Sequence, residues 1–354
     1  MTDYLMERYA RQLVLKDIGP DGQDKLRDAS VTVVGVGGLG ASSAMLLARM
    51  GVGTLYLIDR DLVSLSDLHR QFLYEEDDIG LPKVYAAEKR IKRFNSGVTV
   101  YPIAASLQSQ MAADAVGKAM VIADGLDSMP PRYYLNRLAV KFRKPYVFAS
   151  AIETYGNVST ILPGTTPCLE EFYGGLYDVD LPKCAEVGIH PSILSVISGI
   201  AVAETISILT GNPPRLAGKL LLADLHVPST EVVDLSVNRS CPVCNKVDGE
   251  GINPPTELEF ERVELGCSRN GLGTFFIRGR KKGGLDLKAV EERLMKAGYP
   301  VLRNEPSYIL FKSGPDDTIT ILRGGDAIAQ VSGPNTDLKS IKRRLEDIYD
   351  AVAG

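Results

Sequence analysis

Along the first two-thirds of the chain, short β-branched runs alternate with segments of helical spacing, the pattern of a parallel sheet covered by helices on both faces. Residues 5–27 are polar and helical in pattern, and Gly19-Pro20-Asp21-Gly22 within them signals a turn that stops a helix. Residues 30–34 form an apolar run that predicts a buried strand. A glycine-rich turn at 35–40, a small-residue helix at 41–49 and a strand at 55–59 follow. A strand, glycine turn, helix and strand within ~30 residues make the mononucleotide-binding half of a doubly wound sheet.

The alternation continues with predicted helices at 83–94 and 131–142 and strands at 98–103, 119–124, 145–149 and 158–162. Residues 163–190 are rich in Gly, Pro and acidic groups and show no period, the mark of a functional or mobile loop. A strongly apolar helix is predicted at 191–210, and a closing pair of strands at 219–225 and 231–235. The rhythm changes near residue 250, where a Gly/Pro-rich linker covers 249–256. Beyond it the pattern predicts strands at 274–278, 308–312, 318–323 and 327–331, with helices at 287–297 and 338–352. The fold class is therefore α/β: a doubly wound, mostly parallel Rossmann-like sheet in residues 1–250, then a small α+β domain in 251–354.

A length of 354 residues fits two or three domains. The net charge of −4 carries no concentrated basic excess, which argues against a nucleic-acid partner. No run of 18 apolar residues occurs and the first residues lack a basic stretch leading into an apolar one. The expectation is no signal peptide, no membrane span and a cytoplasmic protein. The five cysteines are Cys168, Cys184, Cys241, Cys244 and Cys267, an odd and low number that points to metal binding or chemistry rather than a disulfide framework.

Gly35-x-Gly37-x-x-Gly40 sits between a predicted strand and helix, where backbone N–H groups and the helix dipole favour phosphate. Asp59, at the end of the second strand, suits a ribose hydroxyl. A NAD- or flavin-binding oxidoreductase uses the same fingerprint and is the rival reading. The segment after Asp59 is unusually polar, and Gly80-Leu81-Pro82-Lys83 puts a lysine at a helix start. Cations close to a glycine-rich loop suit a triphosphate better than a diphosphate. Asp127 follows the end of an apolar strand, where a carboxylate can hold Mg2+ or cap the next helix. Cys241-x-x-Cys244 has the spacing of half a structural zinc site.

These residues carry a resemblance. Arg8-Tyr9-x-Arg11-Gln12, the Gly-Val-Gly-Gly-Leu-Gly turn, Asp59-x-Asp61-x-Val63-x-Leu65-Ser66, Arg70-Gln71, Gly80-x-Pro82-Lys83, Asp124-x-x-Asp127, Pro167-Cys168, Cys184-Ala185-Glu186-x-Gly188 and Cys241-Pro242-x-Cys244 occur in order over ~240 residues. The chain resembles the ubiquitin-activating-enzyme superfamily. It looks most like the short homodimeric adenylyltransferases of molybdopterin and thiamine biosynthesis and the prokaryotic ubiquitin-like-modifier-activating enzymes.

The resemblance implies ATP-dependent adenylation of the C-terminal carboxylate of a small ubiquitin-like or sulfur-carrier protein ending in Gly-Gly. It implies that Gly35, Gly37, Gly38 and Gly40 line the phosphates and that Asp59 binds the ribose. Asp61, Ser66 and Asp67 belong to the same nucleotide wall. Arg70 and Lys83 hold phosphate oxygens, and Asp127 holds Mg2+ or stands by the attacked α-phosphate. Arg11 looks like an arginine supplied in trans within a homodimer; from the residue alone it is a surface helix charge. Two positions depart from the family, which has Asn in place of Asp67 and of Ser128. An aspartate at 67 adds negative charge beside a triphosphate and weakens binding unless a metal or a nearby arginine offsets it.

Among relatives, Cys168 aligns with the first cysteine of a second C-x-x-C, whose other member falls at Glu171 here. The implied Zn2+ ligands are thus Cys168, Cys241 and Cys244, with Glu171 available. Cys184 stands at the reactive-cysteine position of a crossover loop, residues 163–190, where it takes the acyl group as a thioester or serves sulfur transfer. Cys267 fits a packing or turn role. The last ~100 residues do not look like a rhodanese domain, which tilts the expectation toward conjugation, with a downstream conjugating enzyme as a further partner. They resemble a small extension that recruits the modifier, and they also fit a plain stability domain. A non-catalytic scaffold is a third reading, against which stands the presence of Arg11, Asp59, Arg70, Lys83 and Asp127.

Overall fold

The computed structural model describes residues 3–174, 176, 187–236, 241–244, 262–265, 272–279, 284–332 and 338–353. Two sheets organise it. The first has eight strands in the order β3-β2-β1-β4-β5-β6-β7-β8. These are β1 (Ser30–Val34), β2 (Thr54–Asp59), β3 (Thr99–Ala104), β4 (Val121–Asp124), β5 (Tyr146–Ile152), β6 (Tyr155–Ile161), β7 (Lys219–Asp224) and β8 (Ser229–Asp234). Strands β1 to β5 pair in parallel, and β6 to β8 continue antiparallel from β5. The doubly wound, mostly parallel expectation holds.

The chain enters through α1 (Asp3–Arg8), α2 (Ala10–Leu13) and α3 (Gly19–Asp28). The Gly19–Gly22 segment therefore starts a helix, where the sequence signals a stop. Pro20 lies in the first turn, where its missing N–H has no intrahelical partner to lose. A Cβ on Gly22 would lie 3.3 Å from Ile18 and Thr210 side chains, so this turn packs closely.

Helices α4 (Gly38–Met50), α5 (Lys83–Phe94), α6 (Gln110–Lys118) and α7 (Met129–Phe142) cross between the parallel strands. The short α8 (Leu169–Phe172) precedes α9 (Pro191–Thr210). Leu47, Val84, Ile91 and Ile197 cover one face of the sheet. Val116, Leu135 and Leu138 cover the other. Among the described residues α9 alone is long and apolar enough to cross a membrane, and 61% of its apolar window is buried inside the protein. It ends on Gly211 at φ 86, whose N–H caps Ile208 and Ser207 carbonyls.

The second sheet is antiparallel, in the order β11-β12-β13-β14-β10-β9. Its strands are β9 (Val263–Leu265), β10 (Leu272–Ile277), β11 (Val301–Glu305), β12 (Tyr308–Lys312), β13 (Thr318–Leu322) and β14 (Ala327–Ser332). Its helices are α10 (Leu287–Lys296) and α11 (Leu338–Ala353). Strand alternation gives it two apolar faces. Phe275, Ile277, Ile309, Phe311, Ile319 and Ile321 pack with Leu294 and Leu345 of its own helices. Tyr308, Leu322 and Ile328 instead join the core of the first sheet, with Phe276 and Leu310 against it.

Candidate functional site

The glycine turn lies where β1 meets α4. Gly35 has φ +81, and a Cβ there would stand 2.6 Å from the Gly125 carbonyl oxygen. A Cβ on Gly40 would stand 1.8 Å from the Gly35 carbonyl oxygen, and one on Gly38 2.7 Å from a Leu194 methyl. Gly35 and Gly40 are required by contact with backbone, whereas at Gly38 the obstacle is a side-chain end that can shift. Gly37 differs: its φ is −81, and a Cβ would come no closer than 3.9 Å to Gln71 Nε2. The space over Gly37, at the N-terminus of α4, is open to a ligand. Tyr74, buried, donates its hydroxyl to the Val36 carbonyl at 2.6 Å and holds the turn from below.

Asp59 closes β2. Its carboxylate accepts from Val36 N at 2.6 Å and Asp61 N at 2.7 Å. Burial, then the nearby charge of Asp61, pushes its pKa up, with Lys83 opposing. The Lys83 side chain is 3% exposed and lies 3.2 Å from Asp61 Oδ2 and 3.6 Å from Asp67 Oδ2. The Asp67 side chain is fully buried. Its two oxygens also accept from Ser64 N at 3.0 Å, Ser64 Oγ at 2.9 Å, Gln71 Nε2 at 2.8 Å and Arg70 Nη2 at 3.3 Å. Arg70 further donates to the Ser66 carbonyl and meets His69 Nε2 at 2.8 Å. Arg70 and Lys83 thus stand beside Asp67, the nearby cations that an aspartate in place of asparagine calls for.

Asp124, at the end of β4, is buried and accepts from Tyr146 OH at 2.6 Å, Leu126 N at 2.8 Å and Arg132 Nε at 3.3 Å. Burial raises its pKa, against the pull of Arg132. This network fixes the loop that carries Asp127, which is itself exposed. The residue capping α7 is Ser128, not Asp127, and its side chain makes no capping bond. Arg11 is exposed on α2.

Packed against α7, Cys168, Glu171, Cys241 and Cys244 converge, with one ligand atom of each within 4.8 Å of all the others. Cys168 Sγ and Cys241 Sγ are 3.9 Å apart, and Cys244 Sγ donates to Glu171 Oε2 at 3.0 Å. Hydrogen bonding from Cys244 brings the Cys168 thiol down to about 7, while its bond to Cys168 and burial push Cys244 up. Three sulfurs and a carboxylate at this spacing fit a tetrahedral Zn2+ centre. Cys184 and Cys267 lie outside the described residues.

The structure thus brings Gly35, Gly37, Gly38, Gly40, Asp59, Asp61, Asp67, Arg70 and Lys83 to one end of the parallel strands, with Ser66 beside them and Ser66 Oγ 2.9 Å from Ser64 Oγ. Sequence reasoning missed Tyr74 and gave Gln71 no role. An aromatic residue and an amide in a polar segment that must tuck under the turn were the available signals.

The model of the ThiF family matches residues 9–243, and the chain belongs to that family. It is similar to the sulfur carrier protein ThiS adenylyltransferase of Bacillus subtilis (strain 168), 32% identical over 94% of this chain and 97% of that one. It is also similar to the SAMP-activating enzyme E1 of Haloferax volcanii, 32% identical over 73% of this chain and 96% of that one. The Bacillus similarity, at 94% of the chain, extends into the second sheet. The crystal structure of E. coli MccB shares the fold, with a TM-score of 0.60 at 23% identity over 67% of this chain and 72% of that one. The chain is an enzyme of the adenylyltransferase group.

Proposed function

We propose that this ThiF-family chain transfers adenylyl from ATP to the C-terminal glycine carboxylate of a small sulfur-carrier or ubiquitin-like protein. The open cradle over Gly37 carries the reading, because nothing in the protein's own packing fills it. In this reading the phosphates rest there, Asp59 takes the ribose hydroxyls, and Lys83 and Arg70 face phosphate oxygens. Asp67 keeps those two cations in register. A carboxylate oxygen of the partner bonds to the α-phosphorus as the bond to the bridging oxygen breaks, and pyrophosphate leaves with the electron pair. The partner's carboxylate is already ionised, so no general base is needed; positioning and charge do the catalysis. Mg2+ at Asp127 would supply charge neutralisation on the leaving group. Arg11 serves the nucleotide of a second copy in a homodimer, and Cys168, Cys241, Cys244 and Glu171 would hold a Zn2+ that would tie the residues around α8 to the 241–244 turn.

The names of the Bacillus and Haloferax relatives support both kinds of partner. In the conjugation branch the Cys184 thiolate attacks the acyl carbon, AMP departs, and a conjugating enzyme follows.

The test is pyrophosphate exchange into ATP with Gly-Gly-ended small proteins, run beside a non-reducing gel. Partner-dependent exchange in the wild type, and its loss in Gly37→Ala with the fold intact, is the expected result. A thiol-sensitive adduct absent from Cys184→Ala marks the conjugation branch. Exchange at the wild-type rate in Gly37→Ala would remove the cradle from the site.

A further inference from the structure

The second sheet docks where the nucleotide site ends. Asp326 accepts Ser106 N at 2.7 Å through one oxygen and Gly279 N at 3.2 Å through the other, stitching the sheet to the segment just past β3. A Cβ on Gly324 would stand 3.1 Å from the Ala104 carbonyl oxygen, so the β13–β14 turn lies flush on the end of β3. Tyr85 of α5 is hydrogen-bonded to Ser307. The Arg60 guanidinium lies over the Phe276 ring, 4.0 Å from its centroid.

Arg60 directly follows Asp59, and Asp59 pairs with Ala104 across β2 and β3. Phosphates at the β1 turn and ribose at the end of β2 define a line running toward β3. The base then falls over the ends of β2 and β3, the place where Arg60, Ser106 and the second sheet meet. An arginine is a planar surface on which a purine stacks, and an aromatic ring behind it fixes its rotamer.

We propose that Arg60, propped on Phe276, forms the base-side wall of the ATP site, so that the C-terminal sheet is a component of that site and not only a tether for the partner protein. Arg60 is the binding residue and Phe276 the positioning residue. The inference rests on the adenylyl-transfer reading above.

The experiment measures binding of ATP and of tripolyphosphate to the full chain by calorimetry, with pyrophosphate exchange giving KM for ATP and for the partner protein. The variants are Arg60→Ala, Arg60→Lys, Phe276→Leu and Phe276→Tyr. Arg60→Ala and Phe276→Leu should weaken ATP by roughly two- to thirty-fold, the span of a cation–π contact. Tripolyphosphate affinity and KM for the partner should stay unchanged. Phe276→Tyr, which keeps the ring, should match the wild type, and Arg60→Lys should fall with alanine. Equal weakening of ATP and tripolyphosphate would overturn the proposal, since Arg60 would then act as a plain charge. So would unchanged ATP binding in Arg60→Ala, or a rise only in KM for the partner. A wild type that binds no ATP would overturn the adenylyl-transfer reading itself.

Discussion

Replacing Lys83 by methionine isolates the charge balance of the site. One buried ammonium serves two carboxylates, 3.2 Å from Asp61 and 3.6 Å from Asp67. Methionine keeps most of the side-chain volume but leaves those carboxylates facing each other and Asp59, with Arg70 still beside Asp67. Removing one member of a buried ion pair costs about 3–5 kcal/mol. The Asp61 side chain is 21% exposed, so water screens part of its loss and the lower end, about 3 kcal/mol, is expected. Adding Asp67→Asn removes one of the stranded charges and should restore about 1–2 kcal/mol, a coupling of the size seen for neighbours in one network. Asparagine can still accept from Ser64, and Gln71, whose Oε1 is buried without a partner, can reverse its amide to accept from the new NH2. Urea unfolding followed by far-UV circular dichroism reads both variants, the chain having no tryptophan. An unfolding free energy for Lys83→Met within about 1 kcal/mol of wild type, or a double variant no more stable than the single one, would refute the reasoning.

Asp59 gives a pH prediction. Its folded pKa is raised by burial and Asp61, so its ionisation opposes folding near neutrality, and that penalty fades as pH falls through the raised value toward the ordinary carboxylate range. Wild-type stability minus that of Asp59→Asn should therefore grow on acidification below pH 7; a flat difference contradicts it. Asp317 behaves oppositely: burial pushes its pKa up, but hydrogen bonds from Ser332 and Arg344 outweigh it and hold the group low. Asp317→Ala removes the acceptor of Ser332 N at 2.8 Å and of Arg344 Nη2 at 2.7 Å; both residues are open to water, which replaces part of the loss, so it should cost about 1 kcal/mol near neutral pH. The part of the difference that depends on ionisation should shrink once pH drops below the ordinary carboxylate value and be gone below the lowered folded one. Metal analysis of the purified chain should find one Zn2+ per chain, Cys244→Ser should lose it to a chelator, and Glu171→Cys should retain it longer; a metal-free wild type would leave four converging ligands without an ion.

The strongest patterns carried across from sequence to structure. The expected 83–94 and 191–210 helices have those bounds, the first following Pro82 and the second ending at Gly211. The sequence reading missed α6, because its buried positions are mostly alanines, which give little contrast between faces. It missed β11 because Leu302 to Glu305 are all exposed, and β9 because three residues are too few to show a period. The Gly19–Gly22 misreading came from weighing Pro and Gly as helix breakers when their place in the first turn reverses the sign. Within the site, the glycines and Asp59 announce themselves. The sharing of Lys83 by two carboxylates does not, nor does the meeting of Arg60 with Phe276, because both are products of tertiary packing.

The glycine turn has a consequence for how relatives of this chain should be compared. Gly35 and Gly40 are held by collisions with backbone, so a lineage that abandoned its chemistry would still retain those two to fold. Their persistence records foldability. Gly37 and the exposed Arg11 are under no such constraint, and drift at those two positions is where a lapsed enzyme would first betray itself.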